Sequence, residues 1–199
     1  MDGAMPLALP VSLLQLYAFT GSGLLFFVFL LRTLSRAAPE SGAKRDRRSQ
    51  LGIAIQSIGI ACAGFGPVRP VLPPLSPASI AGTFAVLLLM GGAVGLFVAS
   101  SRELGRNWSL VARTRSDHQL IRTGPYARVR HPIYLGMLLF LLAMAVGLGH
   151  WTQLIIGVPL LFAGTAIRTR LEDKLLEQNF GDAFRQYRSS TPAILPRLF

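Results

Sequence analysis

Hydrophobic positions in this chain come in long unbroken blocks, with the polar residues gathered between them. Residues 11–31 form a 21-residue apolar run. At 1.5 Å per residue, a helix of that length spans the roughly 30 Å hydrocarbon core of a bilayer. No Lys or Arg precedes it, so it lacks the basic leader of a cleavable signal peptide and reads as a retained transmembrane helix. Uncharged runs follow at residues 51–68, up to a stretch holding Pro67, Pro70, Pro73, Pro74 and Pro77, and at residues 78–101. Residues 133–167 are uncharged for 35 positions with His150 neutral, which is about 50 Å of helix and too long for one crossing. Gly147, Gly149, His150 and Trp151 sit mid-run and predict a tight turn, which divides it into a hairpin of two short helices. The pattern predicts an all-α integral membrane protein of five transmembrane helices.

Composition agrees. The 199 residues are 51% hydrophobic and 15% charged, against about 25% charged in average soluble chains. One cysteine excludes an internal disulfide framework. The charge is lopsided, with 20 Lys and Arg against 9 Asp and Glu. Loop 32–50 carries six of the basic residues, loop 102–131 seven and the tail from Arg168 six, leaving only Arg69 for the other side. Five spans place nineteen of the twenty on one face, which the positive-inside rule makes cytoplasmic and which puts the N-terminus outside. Topological anchoring and attraction to anionic membrane lipid account for most of these residues. Nucleic acid is not an expected partner, because the basic residues flank spans and lack interleaved aromatics.

Several features read as structure. Cys62 lies inside a span without a charged neighbour and reads as a packing residue. His118, His131 and His150 lack metal-ligand spacing and companion carboxylates, so no metal is expected. Gly91-Gly92-Ala93-Val94-Gly95 has a small-xxx-small spacing that predicts close helix packing.

Two segments on the basic face remain. The first runs from His118-Gln119-Leu120-Ile121 through Gly124-Pro125-Tyr126 to Arg130-His131-Pro132-Ile133-Tyr134-Leu135-Gly136. Pro132 suits the first position of a helix and makes His131 its cap. That helix end, beside Arg130, suits an anion such as a carboxylate, and an interfacial anchor of Arg, His and Tyr fits the same residues. The second segment, residues 168–188, carries an apolar stripe of Leu171, Leu175, Leu176, Phe180, Phe184 and Tyr187 on an otherwise charged helix. Arg168 stands four residues before Glu172, so the two can pair or grip one ligand. Phe180-Gly181 predicts a helix end, with a second short helix before Pro192. An amphipathic helix lying on the membrane fits this segment as well.

Together these residues resemble the isoprenylcysteine carboxyl methyltransferase family, whose motifs read roughly GxYxxxRHPxYxG and EExxLxxxFGxxYxxYxxxxP. The likeness covers about residues 104–197, including Leu104-Gly105-Arg106-Asn107-Trp108-Ser109, and the short chain is similar to prokaryotic members. It departs from the motifs at Asp173, where the family has a second Glu, and at Phe184, where it has Tyr. Arg113 stands where eukaryotic members have a cofactor-binding Gln. The resemblance implies a membrane methyltransferase using S-adenosyl-L-methionine, with a cytoplasmic site below C-terminal amphipathic helices and a lipophilic or prenylated acceptor arriving from the bilayer. It implies that His118, Gln119, Leu120, Ile121, Tyr126, Arg130, His131, Pro132, Ile133, Tyr134 and Glu172 bind cofactor. Arg168 would hold the acceptor carboxylate and, with Glu172, serve catalysis. A phospholipid amine or a thiol is the alternative acceptor, a sterol-reductase-like protein using NADPH the alternative enzyme, and a scaffold the alternative without chemistry.

Overall fold

The computed structural model describes residues 8–36, 47–108 and 119–195, apart from the side chains of Arg47 and Arg106. Among them the regular structure is helical: α1 (Leu13–Arg36), α2 (Arg47–Gly64), α3 (Pro77–Leu104), α4 (Pro132–Leu148), α5 (Leu154–Phe180) and α6 (Asp182–Ser190), with short 3₁₀ turns at Gly105–Asn107 and Gly124–Ala127. Helices α1, α3 and α5 are long and apolar enough to cross a membrane, whereas α4 is apolar but has only 17 residues. The 18 residues of α2 include Arg48, Ser49, Gln50, Gln56 and Ser57, which dilute its hydropathy.

Local chemistry sets the boundaries. Ser76 caps α3, its hydroxyl accepting from the Ser79 amide at 3.3 Å, and Pro77 fills the first turn where no N–H partner is needed. Pro132 opens α4 in the same way. The predicted hairpin turn is present: α4 ends at Gly149, whose φ of 77° is left-handed and strained for other residues, and α5 starts at Leu154. The segment from Arg168 is not a separate amphipathic helix, because α5 continues unbroken from its apolar half to Phe180. Only after Gly181 does the chain turn into the short amphipathic α6, which buries Phe184 and Tyr187.

Backbone contacts gather alternate helix ends. The Leu9 amide donates to Gly149 O at 2.9 Å, and Val11 exchanges bonds with Arg69 O and the Leu72 amide, each at 3.0 Å. Buried His150 lies between Ala63 O at 3.0 Å and Pro67 O at 3.1 Å. The starts of α1, α3 and α5 therefore meet the ends of α2 and α4, where Arg69 is the only Lys or Arg among the described residues. Both segments singled out from the sequence lie at the opposite end.

Helix α2 packs on α5 and α3 on α4. A Cβ added at Gly164 would come 2.5 Å from Gly52 O, and one at Gly157 would come 3.1 Å from Gly59 O, so the two helices touch backbone to backbone. The Gly91 and Gly95 spacing does not serve this purpose: a Cβ at either meets nothing within 4 Å. On that stretch of α3 the close approach uses the neighbouring register, Gly92 against Leu139 and Ala93 against Gly136. Outside the core the bundle is apolar, with Leu24, Leu25 and Phe27 of α1 and Phe84, Leu87 and Leu88 of α3 exposed, as a surface facing hydrocarbon requires.

Candidate active site

The start of α4 is fixed from outside by the chain's own tail. The Arg130 amide donates to Pro192 O at 2.9 Å and the His131 amide to Ala193 O at 2.8 Å, while Arg130 Nε donates to Thr191 O at 3.0 Å. Tyr187 of α6 donates its hydroxyl to Tyr126 O at 2.6 Å, which fastens the 3₁₀ turn to the same tail. Thus the two sequence segments, some forty residues apart, become one structural unit.

Across from this unit, the last turns of α5 present Arg168, Glu172 and Asp173. His131 contacts both acids, with Nδ1 3.3 Å from Glu172 Oε2 and Nε2 2.9 Å from Asp173 Oδ1. Arg130 pairs with Asp173. Tyr134 donates to Glu172 Oε1 at 2.5 Å, and Arg168 Nη2 lies 3.5 Å from that same oxygen. The Arg168 guanidinium carbon sits 5.2 Å from the centre of the Tyr134 ring, within cation–π range. Its Nη1 also reaches Gln56 Oε1 of α2 at 3.5 Å.

His131 occupies the expected cap position but makes no side-chain capping bond. Its ring is turned instead toward α5, where two carboxylates compete successfully for it. The anion expected near this helix end is thus supplied by the protein itself. Burial acts against the imidazolium, but the hydrogen bonds it donates to Asp173 and Glu172 and their negative charges outweigh it, so the His131 pKa is raised. Burial raises the Tyr187 phenol to about 12, and burial with the charge of Glu172 raises Tyr126 further. Both phenols are neutral at ordinary pH.

This network forms one end of a cavity of about 410 Å³, inside the roughly 300–1,000 Å³ range of small-molecule sites. Leu120, Ile121, Tyr126, Arg130, His131, Ile133, Tyr134, Arg168 and Glu172 line it, and Gln119 reaches its rim although largely exposed. Pro132 is buried at the start of α4 and is not in the lining, because it serves the helix itself. His118 and Arg113 lie outside the described residues. Among the described residues, no group of three His, Cys, Asp or Glu side chains could hold a metal ion.

The N-terminal half of the wall was not legible in the sequence. Phe26 and Leu30 of α1, Ile53, Gln56, Ser57 and Ile60 of α2, and Phe97 of α3 all face the cavity, with Trp108, Met137 and Phe140. One signal was available, since Gln56-Ser57 is a polar pair in the middle of an apolar run. The aromatic residues carried none, being indistinguishable in sequence from core. The finished cavity therefore has an ionic end made by the motifs and an apolar end made by α1, α2 and α4.

A family profile falls on the half of the chain that holds most of the motif residues. The profile of the family described as phospholipid methyltransferase matches residues 81–183, and the chain belongs to this family. It is 33% identical over 107 residues to the protein-S-isoprenylcysteine O-methyltransferase of Schizosaccharomyces pombe, covering 52% of this chain and 45% of that protein. The Saccharomyces cerevisiae protein of the same name is 30% identical over 94 residues, 46% of this chain and 39% of its own. The nickel-cobalt-cadmium resistance protein NccN of Alcaligenes xylosoxydans xylosoxydans is 36% identical over 110 residues, 53% of this chain and 49% of its own. The chain thus spans about half the length, or less, of these relatives.

Proposed function

We propose that this protein is a membrane methyltransferase that uses S-adenosyl-L-methionine to esterify the carboxylate of a lipophilic, isoprenylcysteine-like acceptor. The observation that carries the reading is Arg168, which stands where the ionic end of the cavity meets its apolar wall. An acceptor with an anionic head and a hydrocarbon tail needs that juxtaposition.

The residues fit the cofactor by charge. S-adenosyl-L-methionine has a carboxylate, an ammonium and a sulfonium, and it supplies an electrophilic methyl group. Glu172 provides an anionic partner for the ammonium or for ribose hydroxyls, and Arg130 brings positive charge for the carboxylate, while His131 holds Glu172 and Asp173 in place beside it. Gln119, Leu120, Ile121, Tyr126, Ile133 and Tyr134 form the surrounding walls, and by the resemblance His118 joins them. Arg168 would hold and orient the acceptor carboxylate, and the sulfonium would supply the methyl group, leaving as a neutral thioether when the ester forms. No base is required, because a carboxylate is ionised near pH 7. This agrees with a site whose acids are already committed: Glu172 to Tyr134, His131 and Arg168, and Asp173 to Arg130 and His131.

In the membrane, α1 to α5 form five spans with the N-terminus outside. Loops 32–50 and 102–131 and the C-terminal tail then share the cytoplasmic face with the site. The gathering of alternate helix ends beside Arg69 supports this arrangement. The family's description favours one second reading, methyl transfer to a phospholipid amine. An ammonium must first lose a proton, and of the candidates His131, Glu172 and Tyr134 the carboxylate of Glu172 is the one that carries no proton of its own in this network.

Equilibrium binding to the detergent-solubilised full chain tests the enzyme class. Saturable binding of S-adenosyl-L-methionine with none of NADPH is expected. Binding of NADPH alone would make the protein a reductase, and binding of neither would leave a scaffold.

A further inference from the structure

We infer that Gln56 of α2 is a positioning residue for the acceptor, setting the direction and preserving the charge of the Arg168 guanidinium. This rests on the proposed role of Arg168. Gln56 lies in the half of the chain that the family profile does not reach. It is 1% exposed and lines the same cavity as Arg168.

The carboxamide works in both directions. Its Nε2 donates to Thr165 Oγ1 at 2.8 Å, and its Oε1 accepts from Arg168 Nη1 at 3.5 Å. Thr165 and Arg168 are three residues apart on α5, so one side chain from α2 holds two successive positions on the facing helix. A buried amide oriented by a short bond to Thr165 presents its oxygen to the guanidinium in a defined place. The packing around it is equally specific. A Cβ at Gly164 would come 2.7 Å from Gln56 Cγ, and a Cβ at Gly52 would come 2.5 Å from Arg168 Cγ. Glycine at both positions lets the amide and the arginine stem lie between the two helices.

The choice of an amide has a chemical consequence. A carboxylate at position 56 would satisfy Arg168 better but would neutralise the cation that an acceptor anion needs. A neutral oxygen orients the guanidinium without adding a second carboxylate to the one that Glu172 already presents at 3.5 Å. The contacts of Arg168 to Gln56 and to Glu172 are both 3.5 Å, at the long end for such bonds, so either can yield as an incoming carboxylate docks.

The test is equilibrium binding of N-acetyl-S-farnesylcysteine and of its uncharged methyl ester to the full chain in detergent, comparing wild type with Q56E, Q56L and T165V. Wild type binds the free acid more tightly than the ester. Q56E and Q56L lose that preference by about tenfold, a change of one buried charge-assisted contact, and T165V by roughly threefold. Ester affinity and S-adenosyl-L-methionine affinity stay within about twofold of wild type in all three, which separates positioning from misfolding. A wild-type acid preference that survives intact in Q56E and Q56L overturns the positioning role alone. The absence of any acid preference in wild type overturns the reading of Arg168 as the carboxylate site, and this inference with it.

Discussion

The imidazole Nε2 of His131 lies 2.9 Å from Asp173 Oδ1, a contact that spans 42 residues of sequence and joins the start of α4 to the last turns of α5. Its other nitrogen meets Glu172, so one ring closes the ionic end of the cavity. Removing the ring while keeping polarity, as in H131N, exposes two carboxylates to each other without their shared partner. The expected cost is about 1–3 kcal/mol, reduced from that of a fully buried pair because Glu172 and Asp173 are partly accessible. Thermal unfolding in detergent measures it.

The same ring gives the protein a pH signature. The pKa of His131 is higher folded than unfolded, so its proton stabilises the fold. That contribution is complete below the unfolded value of about 6.5 and disappears as pH rises through the higher folded value. The Tm difference between wild type and H131N should therefore shrink as pH rises above about 6.5. A difference that stays constant or grows with that rise would show that the ring is not held as an imidazolium.

Arg168 should separate binding of the two ligands. R168A is expected to lower methyl transfer to a carboxylate acceptor by about a hundredfold or more while leaving S-adenosyl-L-methionine affinity within about threefold. Isothermal titration of the cofactor alongside initial-rate kinetics distinguishes the two effects. Equal collapse of both would move Arg168 into the cofactor site or into the fold.

Glu172 should behave in the opposite way. E172Q keeps the shape but removes the charge that would face the cofactor's ammonium, and it weakens the bond from Tyr134. Cofactor affinity is expected to fall by roughly ten- to a hundredfold. An unchanged titration curve would rule out the assignment.

Helix contact can be tested away from the ionic network. In G164A the new Cβ would lie 2.5 Å from a backbone oxygen, which cannot swing aside, and the expected loss is about 1–3 kcal/mol. G91A is the control: its Cβ meets nothing, and stability should move by less than about 0.5 kcal/mol. Comparable losses in both variants would refute the assignment of the α2–α5 seam.

What the sequence disclosed follows from how far each signal reaches. Helix blocks, the turn at Gly149 and the break at Gly181 depend on neighbouring residues and are present, although α2 already ends at Gly64 and the second arm of the hairpin is not short but runs on to Phe180. The convergence of Arg130 and His131 with Glu172 and Asp173 was legible only because two motifs with a known joint pattern occur together. Contacts between distant helices left little trace. Gly52 and Gly164 look no more important in sequence than Gly91 and Gly95, yet the first pair shapes the seam and the second faces open space. His131 is the most instructive case, since its place at a helix start is local but the direction of its ring is decided by α5. The apolar end of the cavity was hidden for a related reason: a side chain facing lipid, core or ligand has the same hydrophobic character in a bilayer protein.

Methyl transfer itself tests the central claim most directly. The purified full chain is incubated with methyl-labelled S-adenosyl-L-methionine and, separately, N-acetyl-S-farnesylcysteine or a phospholipid bearing a primary amine. The account predicts label on the farnesylcysteine that is released as methanol by mild alkali, as a methyl ester must be. Label confined to the phospholipid and stable to alkali, or no transfer to either acceptor, would contradict it.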